Sequence, residues 1–254
     1  MSSKRNNRKD ESARRNNASS AHFSKEAFDH PFAEGGFRWV AKGKYTRGAR
    51  KGEPCVGKWF KTGHVVEARF FDPDIKAMKK ALAIVHKWNG RRMIDKMVKV
   101  NIPEVWNSRK SHTKVLVEPF ILNYQKFNSN SGWADNKTHL PRVMQALSHF
   151  SYHVSAGEVV LCDLQGGVYD EAVVLTDPVI LSRSRSYGIT DLGKHGISSF
   201  FANHRCNEYC CSTWKKPTNT KRFYRARRGT SMIKGGTDAN QYVPTHGPTY
   251  KRHA

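Results

Sequence analysis

The sequence is poor in acid. Against 44 Lys and Arg there are 21 Asp and Glu, a net charge of +23 over 254 residues. A balance so far from neutral argues against a basic partner surface and for an anionic one: nucleic acid, nucleotide phosphates or an acidic protein face. Long apolar runs are missing as well, and none approaches the roughly 20 residues that a bilayer span needs. The opening stretch MSSKRNNRKDESARRNNASS has charge but no apolar core of the kind a signal peptide requires. The expectation is an intracellular, cytoplasmic protein with no membrane partner. Cysteine is scarce, five in all and an odd count, which argues against a disulfide framework and leaves metal ligation or buried thiols. No internal repeat is visible, so a two-lobed α+β domain is the simplest architecture.

Hydrophobic residues make up 38% of the chain and aromatics 11%, enough for one compact core or two small lobes. Residues 1–22 are rich in Asn, Ser, Arg and Lys and read as a disordered basic arm. Four runs with strand character follow: FRWVAKGKYT (37–46), EPCVGKWFK (53–61), HVVEARFF (64–71) and KVLVEPFIL (114–122). Between them DPDIKAMKKALAIVHKWN predicts a helix, with Ile75, Met78, Leu82 and Val85 on its apolar face and Pro73 at its entrance. In the second half, LPRVMQALSHFSYHV predicts a helix, VVLCDL (159–164) a buried strand, and ISSFFANH a second helix. Residues 215–254 carry ten Lys or Arg against Asp238 alone. Such a run reads as a disordered basic tail, open to nucleic acid but without a specific signal for it.

Three constellations could carry chemistry. His204, Cys206 and Cys210 lie within seven positions, spaced so that a helix end turning into a loop brings one imidazole and two thiolates to a tetrahedral Zn²⁺. On spacing alone the fourth ligand is either His149 or His153, and the plainer alternative is a pair of buried thiols beside a packed histidine. Asp163 and Gln165 fall at a strand end and Asp177 precedes Pro178, oxygen ligands of the kind Mg²⁺ shares with substrate phosphates; an Asp before Pro is also an ordinary turn residue. Lys58 sits in the strand-like CVGKWF with Arg38 in the neighbouring FRWV, placed as a strand lysine that neutralises nucleotide phosphates would be. Gly193 and Gly196 precede a helix, where free N–H groups favour anions.

In their order along the chain these residues, with FSYHVSAGEVVLCDLQGG, LTDPVIL, YGITDLGKHGISSFFANHRCNEYC, VEPFI and KFNSNSGW, resemble the alpha-kinase family of atypical protein kinases from about residue 29 to 210. The resemblance implies a catalytic domain over 23–214, with a β-rich N-lobe (about 23–122) and a zinc-stabilised C-lobe (about 123–214). It implies a serine/threonine protein kinase using ATP and Mg²⁺, with structural zinc on His149, His204, Cys206 and Cys210. It assigns Lys58 and Arg38 to the phosphates, Glu118 to the hinge beside adenine and Asp163 to catalysis. Gln165 and Asp177 fall to the magnesium and active-site groups, and Gly193 and Gly196 to a glycine-rich segment that contacts substrate. The expected partners are ATP and a protein substrate, helical or acidic, with nucleic acid secondary. Kinase folds pair the strand lysine with a helix glutamate, yet no acid lies between Asp74 and Asp95 on this helix, and the link through VYDEAVV is long. Two rival readings follow: an ATP-binding pseudokinase scaffold, and a zinc-stabilised basic nucleic-acid-binding protein.

Overall fold

The structure is a computed structural model, and it describes residues 11–61, 67–107, 113–135 and 137–233. Its N-terminal sheet is built on β4 (Arg38–Gly48), a long strand folded back on β5 (Pro54–Phe60). The sheet runs β2 (Ala18–His22), β4, β5, β8 (Lys114–Pro119), β7 (Glu104–Asn107), with β3 (Ala33–Glu34) also on β4 and α1 (Lys25–Asp29) beside it. A second sheet runs β1 (Ala13–Arg15), β6 (Met97–Ile102), β12 (Ala172–Leu175), β11 (Gln165–Val168), β9 (Tyr124–Lys126). A hairpin-like pair, β10 (Val159–Cys162) and β13 (Val179–Ser182), completes the strands, and the larger helices are α2 (Asp72–Asn89), α3 (His139–Val154) and α4 (Gly193–Asn203).

Helix α2 starts where its composition says it should, with Pro73 in the first turn and Asp72 and Asp74 facing the positive helix end. Its buried face is rotated from the expected one. Ala77, Met78, Ala81, Ile84, Val85 and Trp88 are buried, whereas Ile75 and Leu82 are only half-buried. Met78 and Val85 are buried as expected, and Ala77, Ala81, Ile84 and Trp88 take the places expected of Ile75 and Leu82. Trp88 packs against Phe150 of α3 and Trp214, with ring centroids at 5.4 and 6.4 Å; full burial of each such ring is worth roughly 1.5–3 kcal/mol.

Four expectations are corrected here. Residues 68–71, read as strand, form a 3-10 turn that sets Phe71 into the first sheet's core beside Leu116; residues 64–66 lie outside the described residues. The lobe boundary at 122 is not a clean cut, because α2 shares a core with α3, and β6 pairs in parallel with β12. Residues 11–22 are not a disordered arm: β1 pairs with β6 and β2 with β4. Their order comes from polar bonding rather than apolar burial. Asn16 donates to the Val117 carbonyl at 2.8 Å and accepts from the Tyr45 hydroxyl, while Arg14 donates to Asn101 and to the Phe120 carbonyl. Finally, residues 215–233 of the supposed tail run as irregular chain over the C-lobe, with Trp214 buried at their start. Residues 1–10 and 234–254 lie outside the described residues.

Candidate active site

Sheet register brings the phosphate-side charges together. Lys58 on β5 stands opposite Leu116 of β8 and Val56 opposite Glu118, so Lys58 and Glu118 are diagonal neighbours on one face. Lys58 Nζ lies 2.6 Å from Glu118 Oε1, 2.6 Å from Asp177 Oδ2 and 3.2 Å from Thr176 Oγ1. Thr176 in turn donates to Glu118 at 2.7 Å. Burial works against the ammonium charge, but Asp177 and then Glu118 outweigh it and hold Lys58 above the usual lysine range. Burial holds the Glu118 carboxyl up, with Lys58 opposing. Burial also acts on Asp177, yet Lys58 and Arg38 pull its carboxyl below the usual range; its side chain keeps 43% exposure toward the cleft, against 2% for Glu118.

The acid missing from the helix is therefore supplied by β8. Glu118, expected at the hinge beside adenine, spends its carboxylate on Lys58 and Thr176. Helix α2 contributes its acid elsewhere: Asp74 takes Arg38 at 2.5 Å, and the guanidinium lies 4.7 Å over the rings of both Phe37 and Phe60. Arg38 is thus locked at the cleft wall as a fixed positive charge.

Asp163 occupies the gap between β10 and β11, buried and in the left-handed region at φ 57, as is Asp177 at φ 45. That conformation costs most residues about 1–2 kcal/mol, less for Asp, and it is tolerated where the surroundings over-determine it. Here Asn128 does so, accepting from the Leu164 N–H at 2.8 Å while donating to Gln145 and Ser148 of α3. Gly166 is obligatory just beyond it, in β11. At φ 156, a Cβ there would meet the Val174 carbonyl oxygen at 1.8 Å. Asp163 faces Lys126 of β9 at 3.0 Å and accepts from the Thr230 hydroxyl at 2.7 Å. Burial raises its pKa, with Lys126 and Thr230 opposing.

Gln165 accepts from the Tyr124 hydroxyl at 2.7 Å and from Lys126 at 3.1 Å, and donates weakly toward Asp163 and the Asp177 carbonyl. Its oxygen is engaged in this arrangement, so of the expected magnesium ligands Asp177 is the one that presents an open carboxylate. Arg38, Lys58, Asp163, Gln165, Asp177 and Thr230 all line one cavity of about 110 Å³. A larger cavity of about 350 Å³ lies beyond the end of α2, around Arg92 and Asp95, away from these groups. Gly193 and Gly196 do not present free N–H groups. The Gly193 N–H donates to Asp191, the Gly196 N–H continues α4, and a Cβ on Gly196 would press on Leu181 and Leu192. Gly196 lets α4 pack on Leu181 of β13, and Gly193, at φ 67, lies against the Arg185 side chain.

Spacing left His149 and His153 open, and the geometry separates them. The ligand atoms of His149, His204, Cys206 and Cys210 lie within 4.8 Å of one another. Cys206 Sγ is 3.5 Å from His149 Nδ1 and 3.7 Å from His204 Nε2, which is itself 3.7 Å from Cys210 Sγ. Zinc bonds of about 2.0–2.3 Å at tetrahedral angles give edges of roughly 3.3–3.8 Å, so the set fits the ion. His149 Nε2 faces the Lys215 carbonyl at 3.0 Å, which places the ring proton there and the lone pair on Nδ1, toward the thiols. His153 accepts instead from the Lys215 N–H, and Cys211 is exposed on Thr213.

Residues 33–210 match the Alpha-kinase family. The chain belongs to the alpha-kinase family. Alpha-protein kinase 1 of Dictyostelium discoideum is 32% identical over 184 residues, covering 71% of this chain and 13% of that protein. Eukaryotic elongation factor 2 kinase of Caenorhabditis elegans is 34% identical over 128 residues, 49% of this chain and 16% of that protein. The match thus spans less than a fifth of each relative's length. Among solved structures, the alpha-kinase domain of myosin heavy chain kinase A in complex with AMP aligns with a TM-score of 0.62 at 22% identity. The alignment covers 75% of this chain and 88% of that domain. The same domain in complex with AMP-PNP also aligns at 0.62, with 23% identity and 75% and 86% coverage. The α+β alpha-kinase fold expected from the motifs is the fold observed.

Sequence reasoning missed Lys126, Thr176, Asn128 and Thr230 as members of this site. Lys126 alternates with Tyr124 on a three-residue strand too short to carry a periodic signal, and Thr230 lies in a stretch whose charge resembles a solvated tail.

Proposed function

We propose that the chain is an ATP-dependent serine/threonine protein kinase of the alpha type. The observation that carries this reading is the convergence of Lys58, Asp177, Gln165 and Asp163 on one cavity, with a hydroxyl already 2.7 Å from Asp163. Lys58 and Arg38 would receive the triphosphate charge, and Glu118 keeps the lysine aimed into the cleft. Magnesium, held by Asp177 together with substrate phosphates, would supply electrostatic relief on the transferring group. Asp163 would orient the acceptor hydroxyl and take its proton, and Lys126 holds that carboxylate in place. His149, His204, Cys206 and Cys210 would hold zinc as a closed structural site, since four protein ligands leave no open position for chemistry.

The pseudokinase alternative rested on a lysine without an acid partner. Glu118 removes that ground. The nucleic-acid alternative rested on charge alone, and nothing in the geometry of the site favours it. Among the described residues no helix is long and apolar enough to cross a membrane. The test is incubation with γ-labelled ATP and Mg²⁺ and a threonine-containing protein, followed by phosphoamino-acid analysis. Phosphothreonine or phosphoserine is the expected result; nucleotide binding without any transfer would return the pseudokinase reading.

A further inference from the structure

Among the described residues, the chain beyond the metal cluster, up to Ile233, stays on the molecule. From Lys221 to Ile233 it is laid across the C-lobe in extended, irregular form and held by hydrogen bonds at intervals of a few residues. The Lys221 N–H donates to Ser198 Oγ at 2.8 Å, and the Phe223 and Tyr224 N–H groups share Ser199 Oγ at 2.8 and 3.1 Å. The Arg227 N–H reaches Ser131 Oγ at 3.1 Å. Asn130 then clasps Ser231 from both sides, accepting from its N–H at 2.8 Å and donating to its carbonyl at 2.7 Å. The Ile233 N–H donates to the Ile189 carbonyl at 2.9 Å. Asn130 and Ser131 are themselves fully buried in the NSNSGW shelf, and both turn side-chain groups to this segment.

Main-chain bonds of this kind fix a peptide by its backbone and leave its side chains to be read separately. Two of those side chains matter. The Arg228 guanidinium lies 5.7 Å over the Trp133 ring. Thr230, two positions on, turns its hydroxyl into the catalytic cavity, 2.7 Å from Asp163 Oδ2 and 3.5 Å from Lys126 Nζ. This is within hydrogen-bond reach of the group that would take an acceptor's proton.

We propose that residues 221–233 occupy the protein-substrate position of this same chain and that Thr230 is its intramolecular phosphate acceptor. The inference rests on the kinase reading above and deepens it by naming the substrate geometry. With a magnesium-bound nucleoside triphosphate in the cleft, the Thr230 hydroxyl passes its proton to Asp163 and Oγ1 bonds to the γ-phosphorus. The bond from that phosphorus to the β–γ bridging oxygen breaks, and the nucleoside diphosphate leaves. The occupant is an extended segment with arginine two, three and five positions before the acceptor, at Arg228, Arg227 and Arg225. The family resemblance and the charge of the whole chain had pointed instead to a helical or acidic target.

The experiment incubates the dephosphorylated full chain with MgATP and maps phosphate by mass spectrometry, beside a synthetic peptide of residues 221–233 offered in trans. The expected result is phosphate on Thr230, gained with a first-order rate constant that stays constant over about a hundredfold dilution, as an intramolecular acceptor requires. Thr230→Ala loses that phosphopeptide, Thr230→Ser restores one at the same position, and the peptide is itself phosphorylated. Peptide phosphorylation with no phosphate on Thr230, or with phosphate on Ser231 instead, would overturn the proposal while leaving the kinase reading in place. A rate proportional to protein concentration would do the same. No transfer to any hydroxyl would overturn both.

Discussion

Two polar clusters sit inside this molecule, and they are built on opposite principles. Around Lys58, positive and negative groups alternate across two strands and a turn, with Glu118 Oε1 shared by Lys58 and Thr176 and the 43%-exposed Asp177 carboxylate open to a cavity. Around His204, four ligand atoms converge within 4.8 Å, the two histidines packed by rings and Cys206 at the surface: Phe200 stacks on His204, and Phe201 and Trp214 meet His149 edge-on. The first cluster has charge to exchange with a ligand. The second has only a fixed number of lone pairs for one ion, and the His204 Nδ1 behind it finds no hydrogen-bond partner among the described residues. One is arranged to turn over and the other to stay closed.

Breaking the closed cluster should have the largest effect. Cys206→Ala removes a ligand from a site whose binding energy is folding energy, on the order of 10 kcal/mol for structural zinc in small domains. Zinc content measured by atomic absorption and the melting temperature should fall together. Chelation should lower the melting temperature of the wild type and leave that variant unmoved. A zinc-free protein with the wild-type melting temperature would erase the contrast.

The open cluster should break more gently and in two separable parts. Lys58→Met leaves Glu118 buried without its cation, which costs roughly 3–5 kcal/mol. Adding Glu118→Gln should recover most of that loss in urea unfolding, because the fully buried carboxylate is then neutral and the remaining one, on Asp177, is 43% exposed, but it should not recover phosphoryl transfer. If the double variant regains activity, Lys58 has no role at the phosphates.

The smallest effect sharpens the electrostatics of Asp163. Burial raises its pKa from the usual 3.8, and Lys126 holds the rise down. A raised carboxyl is protonated, and unable to accept a proton, at a higher pH than an ordinary aspartate. The acid limb of kcat/KM, which reports the free enzyme, should therefore lie above 3.8 in the wild type and move higher still in Lys126→Met. A limb that stays in place or moves lower would remove Lys126 from its assigned position.

Much of this was legible in the chain because the strongest signals are local. CVGKWF, VVLCDLQGG and the HRCNEYC run carry Lys58 within a strand, Asp163 at a strand end and three of the four proposed metal ligands past a helix end; Lys58 and Asp163 line one cavity, and the three join His149 within 4.8 Å. What could not be read depends on register and on distant pairing. No spacing along the sequence reveals that Glu118 lies diagonal to Lys58, because the β5–β8 pairing spans some sixty residues. Asn16 and Thr230 escaped for a related reason. Both lie in segments with little apolar content, and both are held by hydrogen bonds to specific distant groups, which composition cannot register.

The central claim is that Asp163 is the group at which the acceptor hydroxyl loses its proton. The most direct measurement is single-turnover phosphoryl transfer from γ-labelled ATP by zinc-loaded wild type and Asp163→Ala, with ATP affinity and melting temperature measured on both. The account predicts a fall in rate of roughly 10²–10⁴-fold, with nucleotide binding and melting temperature little changed. Transfer by Asp163→Ala at the wild-type rate would contradict it.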